Sequence, residues 1–75
     1  MKDAQGNEII EVDKGYGISY NLIEGFNICK LGTLRRIKTK LSDKNLYEYL
    51  VDKKRIDPWK IDCAIERINQ QFRPE

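Results

Sequence analysis

The chain has 75 residues, of which 40% are hydrophobic and 35% charged, with a formal net charge of +2. This length corresponds to one small domain over residues 1–75 and excludes a large enzyme with a sizeable catalytic cavity. The net charge is too small to indicate a nucleic-acid or membrane partner by itself. We therefore expect a single folded domain of ordinary soluble composition.

The hydrophobic residues are too dispersed for a membrane protein. No apolar run approaches the roughly 20 residues that a membrane helix needs, and the first residues lack the apolar stretch of a secretion signal. Both patterns favour a cytoplasmic protein with no membrane partner. In that compartment we expect Cys29 and Cys63 to be reduced and partly buried.

The first part of the chain predicts an antiparallel meander of about three strands. Residues that favour strands come first, and they are followed by two segments in which apolar and polar residues alternate. Turn residues separate the segments. The expected strands are 8–13, 16–23 and 26–31.

A helix over residues 21–31 is the alternative for the last of these segments. Leu22, Phe26 and Cys29 also fit the spacing of one helical face. Gly25 and two asparagines are poor residues for a helix interior, so the strands are favoured.

The segment 34–41 satisfies two periodicities. Leu34, Ile37 and Leu41 fall on one helical stripe, which favours a short helix. Ile37, Thr39 and Leu41 also alternate, so a fourth strand is the alternative. The helix is slightly favoured because a strand would place Leu34 on the opposite face.

Two further helices carry recognisable start signals. Ser42 is a good N-cap for a helix over 43–55. Asp57 followed by Pro58 marks the start of a helix over 58–72. The apolar stripe of this last helix consists of Ile61, Ile65, Ile68 and Phe72. The sequence thus predicts an α+β fold, with a small β-meander followed by two or three helices.

The residue types argue against catalysis. The chain has no histidine, which removes the commonest general base, the catalytic triads that use it and most zinc sites. Asp62 and Glu66 share a helical face and could approach a cation, but solvated acidic pairs of this kind are common. We expect a protein that is not an enzyme and has no cofactor and no metal site.

Two basic segments form a candidate site for nucleic acid. Their seven cations would suit a phosphate backbone through counterion release, although solvated surface charge explains the same pattern. The candidate residues are Arg35, Arg36, Lys38, Lys40, Lys53, Lys54 and Arg55.

Aromatic residues form a candidate site for a protein partner. Trp59 and Cys63 lie about half a turn from the apolar stripe of helix 58–72, so they should not share its burial. The alternative, slightly favoured for Trp59, is that its ring packs over the helix start or onto the helix 43–55. With Tyr47 and Tyr49 they form a surface larger than one narrow stripe can bury, and a homodimer would be one way to cover it.

These observations lead to two hypotheses of function. The first is a small non-catalytic regulatory protein that binds a larger partner, either a protein or a protein–nucleic acid complex, and modulates or inhibits it. Its contact residues would be Trp59, Tyr47, Tyr49 and Cys63. The alternative is a nucleic-acid-binding regulator that uses the basic segments.

Overall fold

Four antiparallel strands follow one another along the chain and lie in the same order in one sheet. A computed structural model describes residues 2, 3 and 6–72. The strands are β1 (Ile10–Asp13), β2 (Tyr16–Asn21), β3 (Gly25–Lys30) and β4 (Arg35–Leu41). They are followed by the helix α1 (Asp43–Tyr47), a π-helical segment (Glu48–Lys53) and the helix α2 (Pro58–Phe72). The α+β fold is therefore confirmed, with four strands where about three were expected.

The turn between β1 and β2 shows why the meander forms locally. Lys14 and Gly15 both have positive φ, 53° and 79°, as a two-residue type I′ hairpin turn requires. A bulge between Glu11 and Asp13 shifts the register of β1 just before this turn. Because a bulge increases the local twist, the end of β1 is bent and twisted and does not form a flat edge.

The helix favoured for 34–41 is wrong, and the alternative fourth strand is correct. Arg35–Leu41 pairs with β3 through a ladder that contains two register shifts. Leu34 adopts a φ of 58°, which places it in the preceding turn and removes it from any helical stripe. The physical reason for the strand is that β3 is a largely buried strand whose outer backbone groups need partners.

The helix predicted over 43–55 is confirmed as helical backbone over 43–53, but its second half has π-helical hydrogen bonds. The Ser42 side chain accepts a hydrogen bond from the Asn45 N–H at 3.3 Å, so the N-cap is confirmed. The α-helical part ends at Tyr47 and continues as the π-helical segment, which ends at Lys53. Capping signals locate a helix end, but they do not encode the wider hydrogen-bond register of a π-helix.

The helices pack on one face of the sheet and form the apolar core there. The register places Ile10, Ile18 and Ile28 side by side across three strands. The core consists of Ile10, Ile18, Phe26, Ile28, Leu46, Leu50, Ile56, Ile61, Ala64 and Ile68. The predicted start of α2 at Pro58 is confirmed, and Ile56 and Ile61 are buried on either side of it. The side chain of Phe72 lies outside the described part of the chain.

The opposite face of the sheet buries small polar residues. Ser19, Asn27 and Cys29 alternate with the core residues along β2 and β3, and all three are completely buried. Burial raises the pKa of the Cys29 thiol, and the nearby Asp3 carboxylate adds to the shift. Cys63 is exposed on α2, so the expectation of a partly buried thiol is wrong at that position.

Candidate functional site

A groove runs between β1, the first edge strand of the sheet, and α2. The Nζ atom of Lys60 lies 2.8 Å from Oδ2 of Asp13 and joins the first turn of α2 to the last residue of β1. Asp13 ends β1 and Lys60 lies in the first turn of α2, while later residues of α2 and earlier residues of β1 line the same groove, so we infer that the helix and the strand run in opposite directions. The groove has a volume of about 200 Å³ and is lined by Ile10, Glu11, Val12, Trp59, Lys60, Cys63, Ala64 and Arg67.

Trp59 stands at one end of this groove and is 60% exposed. The alternative in which the ring is buried, over the helix start or against the helix 43–55, is therefore wrong. Ile61 faces the core, and Trp59 lies two residues earlier, about 200° around the helix. The Lys60 ammonium lies 5.5 Å from the indole centroid, a cation–π distance that still leaves most of the ring open to solvent.

Three groove residues form a single stripe along α2. Trp59, Cys63 and Arg67 are spaced four residues apart, so they share one helical face beside the free edge of β1. Cys63 and Arg67 are both exposed, and Arg67 forms no ion pair with another described residue. This stripe joins two of the predicted partner-binding residues to an arginine that the sequence analysis did not select.

The ion pair at the groove's end is partly shielded from water. The Lys60 and Asp13 side chains are 29% and 31% exposed. The hydrogen bond from Lys60, helped by the backbone N–H of Lys14, lowers the pKa of Asp13. The same hydrogen bond raises the pKa of Lys60. Both groups therefore stay charged over a wider pH range than in the unfolded chain.

Tyr47 lies away from the groove and is engaged inside the fold. Its hydroxyl donates a hydrogen bond to the Asp62 carboxylate, which ties α1 to α2. Burial, together with this hydrogen bond, raises the pKa of Tyr47 to about 12. The Asp62 carboxylate thus serves as a hydrogen-bond acceptor between the two helices.

Tyr49 lies outside the groove and brings the two basic segments together. The ammonium groups of Lys38, from β4, and Lys54 both lie 5.5 Å from the Tyr49 ring centroid. Lys54 also lies 5.2 Å from the Tyr16 ring, and a hydrogen bond to Tyr16 raises the pKa of Lys54. Lys53 lines the same 280 Å³ cleft as Lys38 and Tyr49.

The remaining residues of the predicted nucleic-acid site differ in how exposed they are and in the contacts they already make. Arg36 is half-buried and pairs with Glu24 at 3.2 Å. Arg35 and Lys40 are exposed on β4. Arg55 is exposed in a left-handed conformation, with its carbonyl oxygen accepting a hydrogen bond from Lys14 at 2.9 Å. The cluster around Tyr49 therefore unites only part of the predicted nucleic-acid site.

The most exposed apolar side chains were missed by sequence reasoning. Leu22 is 80% and Ile23 94% exposed in the turn between β2 and β3, whereas the sequence placed both in a strand over 16–23. Asn21 fixes this turn because its Oδ1 accepts hydrogen bonds from the N–H groups of Ile23 and Glu24. The sequence pattern that could have predicted this turn is Asn21 and Gly25 on either side of three residues, because both residue types are typical of turns.

Comparison of the chain with protein-family models, with curated proteins and with solved structures returns no match. Of the helices described, none has the length and apolarity needed to cross a membrane. Residues 2, 3 and 6–72 contain no cluster of three acidic or cysteine side chains that could hold a metal ion.

Proposed function

We propose that this protein is a small non-catalytic regulator that binds a larger macromolecular partner and modulates or inhibits it. One observation carries the proposal: Trp59 is 60% exposed beside an open groove at the edge of the sheet. Tryptophan is enriched among the residues that dominate binding energy, and its indole gains most when a partner excludes water from it.

The size of the groove supports a macromolecular partner over a small-molecule substrate. Its volume of about 200 Å³ is smaller than the roughly 300–1,000 Å³ of typical small-molecule sites. Such a groove can accept only a few side chains from a partner whose other contacts lie outside it. The proposed function is therefore recognition, with Trp59 at its centre and Cys63 beside it.

Affinity capture from a cell lysate followed by direct titration tests this proposal. We expect Trp59→Ala to lose a partner that the parent protein captures, and to raise the Kd of the purified complex by roughly tenfold or more. Leu22→Ala is the matched control because Leu22 is an exposed apolar residue outside the groove. An unchanged Kd for folded Trp59→Ala would contradict the proposal.

A second candidate function is nucleic-acid binding at the Tyr49 cluster. Its specific support is that Lys38 and Lys54, from two separate basic segments, meet around one aromatic ring. Cations beside an aromatic ring are typical of surfaces that hold phosphates and stack bases. Glu48 and Asp52 line the same cleft and oppose this function by repelling phosphates.

Fluorescence anisotropy separates the two candidates. Labelled single-stranded and duplex nucleic acids would be titrated at about 50 mM and about 200 mM salt, since backbone-driven binding falls steeply over this range. A nucleic-acid function requires tight binding at low salt, and a shallower salt dependence for the Lys38→Gln, Lys54→Gln double variant. Absence of binding at low salt would remove this candidate.

A further inference from the structure

We propose that the groove binds an extended segment of a partner protein, which pairs with β1 as a fifth strand and lays alternate side chains over Trp59, Cys63 and Arg67. This inference rests on the proposed function and specifies the kind of partner. It depends on three features of the described structure: the edge of β1, the spacing of the α2 stripe and the charge at its end.

The edge of β1 offers backbone groups to another strand. Within the described residues β1 pairs only with β2, so its outer side has N–H and C=O groups that are free to pair, in an alternation that the bulge between Glu11 and Asp13 interrupts. An edge of this kind is the usual template for strand addition.

The opposite edge of the sheet is protected against the same interaction. β4 carries the exposed cations Arg35, Lys38 and Lys40, and its ladder with β3 contains two register shifts. Charged side chains and bulges at an edge disfavour pairing with a further strand. β1 has a single bulge and the exposed charge of Glu11, whereas β4 has two register shifts and three exposed cations, so β1 is the less protected edge and the better template.

The stripe on α2 has the spacing of a strand. Four residues of an α-helix rise about 6 Å, and two residues of a strand span about 6.6 Å. Trp59, Cys63 and Arg67 therefore lie opposite every second residue of a strand added to β1. Every second residue of a strand points to the same side, so these three positions meet consecutive inward side chains.

The orientation of α2 gives the partner segment a sequence pattern. An antiparallel strand added to β1 runs in the direction of α2, because α2 and β1 are themselves opposed. The segment then places an apolar or aromatic residue over Trp59, a small apolar residue over Cys63 and an acidic residue beside Arg67. The acidic preference follows from charge complementarity, since Arg67 is exposed and has no ion pair within the described residues.

Cys63 allows a direct test with defined peptides. It is exposed in the groove, whereas Cys29 is completely buried, so Cys63 is the accessible thiol of the two. The probes are short blocked peptides with a central cysteine, phenylalanine two residues before it and glutamate two residues after it, and each peptide cysteine is supplied as a mixed disulfide with 2-mercaptoethanol. The Cys63 thiolate attacks the peptide sulfur of that disulfide, the peptide becomes bonded to Cys63, and 2-mercaptoethanol leaves as the free thiol. The readout is the fraction of protein held as the mixed disulfide at a fixed concentration of 2-mercaptoethanol.

Backbone methylation distinguishes strand pairing from simple apolar contact. One peptide is N-methylated at the residues next to the cysteine, and another at the residues two positions away. In an antiparallel ladder only alternate residues bond to the neighbouring strand, so one methylated peptide should lose roughly tenfold in capture and the other should lose little. Equal capture of both methylated peptides would overturn strand addition.

Charge reversal tests the predicted orientation. The parent protein should prefer the glutamate peptide over the same peptide with lysine, and Arg67→Glu should reverse that preference. Equal capture of the two peptides by the parent would overturn the assignment of Arg67.

The two proposals fail in different ways. If Trp59→Ala abolishes binding of the captured partner while both methylated peptides behave alike, recognition stands and strand addition is overturned. If the alternating methylation effect is present but Trp59→Ala leaves the partner's Kd unchanged, the edge binds strands and Trp59 is not the anchor of the proposed function.

Discussion

Lys60 and Asp13 are separated by 47 positions in the chain, yet their side chains meet at 2.8 Å. The contact fastens the first turn of α2 to the end of β1 and closes one end of the groove. Because it joins two elements that are distant in sequence, it is a sensitive place to test how the groove is held together.

The Asp13 carboxylate should make stability depend on acid pH. Its pKa in the folded protein is lowered below the ordinary value of 3.8. The ionised carboxylate therefore adds to the free energy of unfolding above pH 3.8, and this stabilisation is lost as the pH falls through the folded pKa. We expect Asp13→Asn to flatten the loss of melting temperature below about pH 4. Thermal unfolding of Glu66→Gln, which alters an exposed carboxylate on α2, serves as the control.

The hydrogen bond from Tyr47 to Asp62 should make stability depend on alkaline pH. The folded pKa of Tyr47 is about 12 against an ordinary value of 10.0, so the contribution is full below pH 10 and is lost as the pH rises towards 12. Tyr47→Phe should be less stable at neutral pH by about 1 kcal/mol and should lack this alkaline component. A melting curve that falls equally for the parent and Tyr47→Phe between pH 10 and 12 would be inconsistent with this contact.

Gly17 is required by close packing on the second face of the sheet. A Cβ atom there would lie 2.6 Å from a side-chain carbon of Ile9 and 3.0 Å from the Ile10 carbonyl oxygen. We expect Gly17→Ala to lower the free energy of unfolding by about 1–3 kcal/mol, measured by urea denaturation. Gly32→Ala is the matched control because its Cβ would meet nothing within 4 Å.

The exposed turn residues should not contribute to folding. Ile23 is 94% exposed, so Ile23→Ser should change the free energy of unfolding by no more than about 0.5 kcal/mol. Ile61 is completely buried, and Ile61→Ala should cost about 2–5 kcal/mol. Chemical denaturation of the two variants side by side checks the contrast; a large loss for Ile23→Ser would show that the turn is packed in solution.

Local signals predicted what local interactions decide. The Ser42 N-cap and the helix start at Asp57-Pro58 could be predicted because the groups that form a helix end are close together in sequence. The segment 34–41 satisfied both helical and strand periodicity, and its structure was decided by the unpaired edge of β3. That edge is a tertiary feature, which a window of sequence does not contain.

The candidate site was predictable only in part. Helical spacing placed Trp59 and Cys63 off the buried stripe, and both are exposed in the groove. Arg67 was missed because only its position beside the edge of β1 makes it a candidate contact residue. The last residue of β1 is Asp13, 54 positions before Arg67 in the sequence, since 67 minus 13 is 54. The meeting of Lys38 and Lys54 at Tyr49 is likewise a result of packing.

The strand order of the sheet has a consequence for folding kinetics. Each strand pairs with the next one in the chain, so the meander can assemble by successive hairpins without closing a long loop. The return of α2 to β1 is the non-local step, and we expect it to come late. Since the groove exists only after that step, a partner that binds there would select molecules that have completed folding and would leave partly folded chains unbound.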